Sequence, residues 1–207
     1  MEDNIIVKTT AFAAHVVSAY LRPGDIAVDA TCGNGWDTLF LCRQTGAEGI
    51  VYAFDIQQEA LEKAKERFSC TCRRPCGPGR EEEEQPLAQV RWILDSHENM
   101  DRYLDEGSVS AIVFNLGYLP GGNKELVTRA ESSRDAVEKA LKLIRKGGII
   151  SIVLYPGHGE GRKEKQVLTK LAETLSPSEF HVMTVRQTNQ KETWKQPPEI
   201  LFITRKI

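Results

Sequence analysis

Long apolar runs are missing from this 207-residue sequence: none approaches the roughly 20 residues that a helix needs to cross a bilayer. A helical membrane span is therefore excluded. The N-terminal stretch MEDNIIVKTT has no basic segment leading into an apolar one, and it is not rich in Arg and Ser. Neither a secretory signal nor a transit peptide is expected from it. A large excess of charge is missing too: 27 Lys and Arg stand against 29 Asp and Glu, for a net charge of −2. That argues against a chain coated in nucleic acid and leaves room for a local basic face. Basic residues gather in 139–165 (Lys139, Lys142, Arg145, Lys146, Arg162, Lys163, Lys165) and again in the last 22 residues. Cysteine is scarce and odd in number, at five. With no signal segment, this suits a reducing compartment, so a cytoplasmic location is expected, or an organellar matrix or stroma in a eukaryotic host. Cys32 and Cys42 sit in apolar-periodic segments and read as reduced, partly buried thiols. Cys70, Cys72 and Cys76 cluster in CTCRRPC, where three thiols could hold zinc with a fourth ligand. None stands nearby at the usual spacing, so no metal is expected.

What is present is a domain's worth of core. The apolar content of 41% is too high for a disordered chain, and the length fits one globular domain over 1–207. Short apolar runs alternate with helical patterns, the mark of a parallel sheet covered on both faces. Strands are expected at 26–30, 49–55, 89–94, 109–116 and 149–155. Helices are expected at 9–21, 37–43, 57–68, 132–145 (capped by Ser132 or Ser133 and stopped at Gly147-Gly148) and 163–175. Residues 69–88, polar and broken by Gly and Pro, read as an inserted flexible loop. The tail changes character. Strands at 180–188 and 199–206 are joined by a segment with paired prolines that is too short for a helical crossover, so this pair should be antiparallel.

Several segments carry chemistry. In VDATCGNGWDT (28–38) a buried strand runs into a glycine-rich turn and then a helix. Gly33 and Gly35 let a ligand approach the backbone, and the helix start offers free N–H groups. The third glycine of a dinucleotide site is replaced by Thr38. The pattern suits instead the methionine end of S-adenosyl-L-methionine (SAM). Asp55 ends the second strand, where a carboxylate accepts from ribose hydroxyls. It could equally cap the next helix, or do both, and Gln57 can reach the same ligand. Asp95-Ser96-His97 ends the third strand, where this fold places adenine; a helix cap or a packed histidine is the plainer reading. FNLGYLPGGNK (114–124) leaves the fourth strand at the topological switch point. There Asn115 is an amide closing an apolar run, costly to bury unless paired. Asn-Leu-Gly-Tyr suggests an amine held by Asn acceptors and stacked on Tyr118. The loop YPGHGEGR (155–162) brings His158 to the same cleft.

With these motifs in order, the chain resembles the MnmM (YtqB-like) methyltransferases across nearly its whole length outside 69–88. The carriers are VDATCGNGWDT, AFDIQ, DSHE, FNLGYLPGG and PGHGEG. Asn123 and Cys32 depart from the residues usual in that family. The resemblance implies an α/β class I SAM-dependent methyltransferase fold, Rossmann-like, with a seven-stranded, mostly parallel sheet and a C-terminal antiparallel hairpin. The implied activity is methylation of the aminomethyl group of 5-aminomethyl-2-thiouridine at the tRNA wobble position. The implied partner is the tRNA anticodon stem-loop, with no membrane and no metal, and a homodimer left open. Implied SAM contacts are Gly33, Asn34, Trp36 and Asp37 from the loop, Asp55 and Gln57 at the ribose, and Ser96 with His97 at the adenine. Asn115, Tyr118 and His158 would face the nucleotide, with Asn115 and Tyr118 catalytic. A methyltransferase for another amine or amide (an rRNA base or a protein glutamine) fits Asn-x-x-Tyr as well. An NAD enzyme or a non-catalytic nucleotide-binding module fits less.

Overall fold

The computed structural model describes residues 8–73, 87–117, 129–157, 159–189 and 196–207. Helices are α1 (Thr9–Ser18), α2 (Trp36–Thr45), α3 (Gln58–Arg73), α4 (Ala130–Leu143) and α5 (Gly159–Glu173). Strands are β1 (Ile26–Asp29), β2 (Ile50–Asp55), β3 (Gln89–Leu94), β4 (Val109–Leu116), β5 (Ile144–Leu154), β6 (Phe180–Val185) and β7 (Glu199–Arg205). They form one sheet in the order β3-β2-β1-β4-β5-β7-β6. β1 to β5 pair in parallel, and β7 lies antiparallel between β5 and β6. The expected hairpin is thus present.

The side-chain period of two along each strand builds two core layers. Val28, Phe54, Ile112, Phe114 and Ile152 pack with Val137, Ala140 and Leu168 of α4 and α5. Their neighbours Ala27, Val51, Ala111, Val113 and Val153 face the other way, onto Val17 of α1 and Leu41 and Cys42 of α2. Fully burying a side chain such as Phe54 or Phe114 contributes about 1.5–3 kcal/mol. This two-sided burial is why the strands read as continuous Val/Ile runs. It also leaves their C-terminal ends as the open edge where loops gather.

Several boundaries differ from expectation: α1 ends at Ser18, α5 starts at Gly159 and β6 ends at Val185, and three further differences have a local reason. α3 continues to Arg73, so residues 69–73 are helix rather than inserted loop; no Gly or Pro interrupts the chain before Pro75. Residues 74–86 lie outside the described residues. α4 begins at Ala130, and neither serine caps it. Ser132 Oγ donates back to the Arg129 carbonyl at 3.0 Å, and Ser133 Oγ is buried against Glu164 of α5 at 2.5 Å. β5 starts at Ile144 rather than Ile149, because Gly147 (φ 74°) and Gly148 sit inside the strand where its register against β4 shifts. A β-carbon at Gly148 would lie 2.9 Å from the Ser110 carbonyl oxygen, so the glycine pair serves this bulge, and α4 has already ended at Leu143 with extended Ile144 as its C-cap.

Candidate functional site

A cavity of about 1100 Å³ opens over the C-terminal ends of β1 to β4, lined among others by Gly33, Trp36, Asp55, His97, Asn115 and Tyr155. Its floor is the turn between β1 and α2. Gly35 precedes α2 in the left-handed conformation (φ 76°), and a β-carbon there would lie 2.8 Å from the Ala64 β-carbon of α3. Only glycine allows both that backbone and that approach. The turn is stitched by Cys32 N–H to the Phe54 carbonyl (2.8 Å) and Gly35 N–H to the Cys32 carbonyl (2.8 Å).

Asp55 ties the turn to β2. One oxygen accepts from Gly33 N–H at 2.8 Å and the other from Gln57 N–H at 2.9 Å. The carboxylate therefore braces the glycine turn and the start of the next segment. Each oxygen keeps a further lone pair for a ligand hydroxyl. Beside it Ile56 is 61% exposed although apolar, and it lines the cavity. Sequence reading passed over Ile56; an apolar residue straight after a strand-ending carboxylate was the available signal.

Below the turn lies a layer of buried acid. Asp29 is fully buried and accepts from Thr38 Oγ1 (2.6 Å) and Thr31 N–H (3.2 Å). Burial, with the Asp37 charge adding to it, pushes its pKa up to about 7. Cys32 shares the same pocket of negative charge, and its thiol pKa is raised, chiefly by burial, so it stays an un-ionised thiol. Asp37, in the first turn of α2, is also raised by burial, while a hydrogen bond from Asn115 pulls the other way. Asp29, Thr31 and Thr38 belong to the VDATCGNGWDT pattern read from the sequence, but their hydrogen bonds to one another and to Asn115 join β1, α2 and β4 and show only in the fold.

Asn115 sits near the end of β4, where the sheet order reverses. Its N–H donates to Thr31 Oγ1 at 2.7 Å, and its side-chain Nδ2 donates to Asp37 Oδ2 in a short hydrogen bond. Its Oδ1 is buried with no partner. Gly117 follows, with the Tyr155 ring beside it; a β-carbon at Gly117 would touch Tyr155 Cδ2 at 3.6 Å. Tyr155, the first residue of the YPGHGEGR loop, follows β5 into the same cavity as an aromatic wall; the sequence pointed to His158 in that loop rather than to Tyr155.

On the opposite side, Asp95 accepts from Ser96 N–H (2.7 Å), Asn99 Nδ2 (2.7 Å) and Tyr103 Oη (2.9 Å). The Asn99 bond leads in holding its pKa below the usual carboxylate range. Asp95 thus organises the 3-10 turn His97–Arg102, while Ser96 caps that turn by accepting from Glu98 N–H. Asp95 and Ser96 still line the cavity. His97 is buried, edge-on to Phe114 at 5.8 Å, with Nδ1 3.2 Å from the Ala30 carbonyl. Burial lowers its pKa, so the ring is neutral. Donation from Nδ1 leaves Nε2 as an acceptor, and that atom is buried without a partner. At the lip, Trp36 is 63% exposed, with the Arg67 guanidinium 3.7 Å from its ring centre and Arg67 Nε donating to the Asn34 carbonyl at 2.8 Å.

The turn residues, Asp55, Gln57, Ser96, His97 and Asn115 therefore converge on one cavity. Tyr118 and His158 lie outside the described residues, as do Asn123 and Cys76. Much of the basic stretch is spent locally: Lys139 pairs with Asp101, Arg145 with Asp25, Lys163 with Glu160 and Lys165 with Glu199. Among the described residues no helix is long and apolar enough to cross a membrane, and no cluster of metal-binding side chains is present.

Residues 51–204 match the family described as "Putative rRNA methylase". A chloroplastic tRNA (mnm(5)s(2)U34)-methyltransferase of Arabidopsis thaliana is 35% identical over 84% of this chain and 62% of its own. The chain thus spans less than two thirds of that curated relative. A crystal structure of a "putative rRNA-methylase" from Clostridium thermocellum superposes with a TM-score of 0.82 at 33% identity, covering 95% of this chain and 97% of that one. A methyltransferase from Streptococcus mutans, solved with S-adenosylhomocysteine (SAH), gives 0.78 at 30% identity, covering 96% and 98%. The cavity suits the matching cofactor, SAM. Acidic groups line its floor for a cationic ligand, two buried polar atoms await partners, and Ile56 offers an apolar face where a ring would lie. The fold, the cavity and these likenesses together place the chain in the rRNA methylase family of SAM-dependent methyltransferases.

Proposed function

We propose that the protein is a SAM-dependent N-methyltransferase that acts on the aminomethyl group of 5-aminomethyl-2-thiouridine at the tRNA wobble position, giving 5-methylaminomethyl-2-thiouridine. The observation that carries this reading is Asn115. A buried amide oxygen without a partner, at the switch point of a nucleoside-sized cavity, is an acceptor waiting for a donor. An amine N–H supplies that donor.

SAM, when bound, supplies a methyl group made electrophilic by the sulfonium. Asp55 and Gln57 would hold the ribose, Ile56 and His97 the adenine, and Gly33 with its neighbours the amino-acid end. Asn115 would accept from the substrate amine and aim its lone pair. The N–C bond forms as the S–C bond breaks, and the proton of the resulting ammonium leaves to water. No strong base is needed: the amine must arrive neutral, and the residues contribute alignment. Tyr118 and His158 take their roles from the family resemblance, as platform and substrate contact. A wobble base is unpaired outside the codon and can be turned into a cavity of this kind. Lys142, Lys146 and Arg162, exposed and outside the ion pairs named above, are the cations of 139–165 left for anticodon phosphates. Work in the cytoplasm, or in an organellar matrix or stroma, is compatible with this substrate.

The test compares acceptors. Purified protein and labelled SAM are offered tRNA bearing the aminomethyl group, ribosomes, or a protein extract. Label in the wobble nucleoside is expected. Label in ribosomal RNA or protein alone would replace this reading with methylation of another base or amide.

A further inference from the structure

We propose that Asp37 is a positioning residue: its carboxylate fixes the Asn115 amide so that the carbonyl oxygen, rather than the NH2, is presented to the substrate. The inference deepens the reading above and rests on Asn115 accepting from the amine; it reassigns Asp37, which the family resemblance makes a SAM contact, to the Asn115 amide.

An amide can be turned over with little change in shape, and the two ends then exchange donor for acceptor. Something must choose between them. Here the Asn115 backbone is held by Thr31 Oγ1 (2.7 Å), and the Nδ2 end meets Asp37 Oδ2. Burial works against the Asp37 charge, but the hydrogen bond from Asn115 Nδ2 favours the ionised form; that form only accepts, which turns the NH2 toward it and Oδ1 away. Asp37 is itself fixed. It stands in the first turn of α2, where the helix N-terminus favours negative charge, right after the glycine turn that Asp55 braces. A second cavity behind the pair, walled by Thr10 and Val17 of α1 and Ser151 of β5, has a volume of only about 10 Å³. It is too small for a nucleoside, so a substrate donor reaches Asn115 from the main cavity. The consequence is specificity. With the amide held this way, the site takes groups that donate a hydrogen bond, such as an amine. It leaves an acceptor-only group facing a buried oxygen.

Three variants separate this role from cofactor binding. Asp37→Leu keeps the size and removes the acceptor, with Asp37→Ala as a substitute if it does not fold. Asp37→Asn keeps an oxygen that can accept from Asn115. In 15N-labelled protein the Asn115 side-chain amide, assigned by its loss in Asn115→Ala, should show one downfield proton in the wild type and in Asp37→Asn. That shift should vanish in Asp37→Leu. Turnover on aminomethyl tRNA should fall about 10- to 100-fold in Asp37→Leu, the scale of lost alignment. It should stay within about 5-fold in Asp37→Asn, one hydrogen bond being kept, while SAM affinity by calorimetry changes by less than about 3-fold in both. Loss of SAM affinity in step with turnover would overturn the proposal and make Asp37 a cofactor ligand. Equal inactivity of Asp37→Asn and Asp37→Leu would overturn it too, because the charge itself would then be required. Should the wild type leave aminomethyl tRNA unmethylated, the substrate assignment fails, and the amide resonance still decides whether Asp37 orients Asn115.

Discussion

Replacing Gly35 by alanine tests the link between backbone geometry and the cofactor cavity. Gly35 has φ 76°, and its missing β-carbon would sit 2.8 Å from Ala64 Cβ and 3.0 Å from Ala64 Cα. The left-handed backbone costs an alanine about 1–2 kcal/mol. Ala64 is buried in α3 and cannot swing aside as a long side chain would, so overpacking adds about 1–3 kcal/mol. Gly35→Ala should therefore lose about 2–5 kcal/mol, a large part of the roughly 5–15 kcal/mol that holds a domain folded. Urea unfolding at constant m-value reads the loss, and calorimetry with SAM reads displacement of the turn. Adding Ala64→Gly removes the collision and keeps the strained φ. The double variant should recover part of the overpacking cost, offset by about 1 kcal/mol for glycine within a helix. A Gly35→Ala protein within about 0.5 kcal/mol of wild type, with unchanged SAM affinity, would refute the close-approach reasoning.

Other perturbations separate the two halves of the cavity. Asp55→Ala strips the acceptor from Gly33 and Gln57 and from the expected ribose; SAM affinity by calorimetry should drop about 10- to 100-fold. Asn115→Ala should do the reverse, lowering turnover about 100-fold with SAM affinity nearly intact; equal loss of both would contradict the division. Asp29 carries a pH signature. Its pKa is raised from 3.8 to about 7 on folding. The folded chain thus holds a proton that the unfolded chain has released across that window, and stability contributed by the neutral form falls as pH rises from about 4 to about 7. Asp29→Asn should flatten the denaturation-derived stability curve there by up to one proton per chain; an unchanged slope would show that Asp29 ionises normally.

The elements with two-sided burial were the most legible in the sequence. The runs at 89–94 and 109–116 match β3 and β4 residue for residue: β4 is an almost unbroken apolar run buried on both faces, whereas the edge strand β3 shows the alternation of exposed Gln89 and Arg91 with apolar Val90 and Trp92. The hairpin followed from chain length alone. Boundaries governed by packing were not legible. Ser133 looks like a helix cap until Glu164, 31 residues away, is seen to take its hydroxyl. Gly147-Gly148 looks like a helix stop until its bulge against Ser110 is seen. The site divides the same way. Asp55 and the glycine turn announce themselves by spacing, whereas the Asp37–Asn115 pair joins residues 78 apart and exists only once α2 and β4 are side by side. Ile56 and Tyr155 look like ordinary strand residues. Their meaning comes from lying past the last ladder bond, at the mouth of the cavity.

A crystal structure of this chain with S-adenosylhomocysteine would be the most direct check on the proposed pocket. The ribose hydroxyls should meet Asp55, the adenine should lie between Ile56 and His97, and the sulfur should point toward the Asn115 amide. A ligand lodged elsewhere, or a sulfur facing away from Asn115, would contradict it.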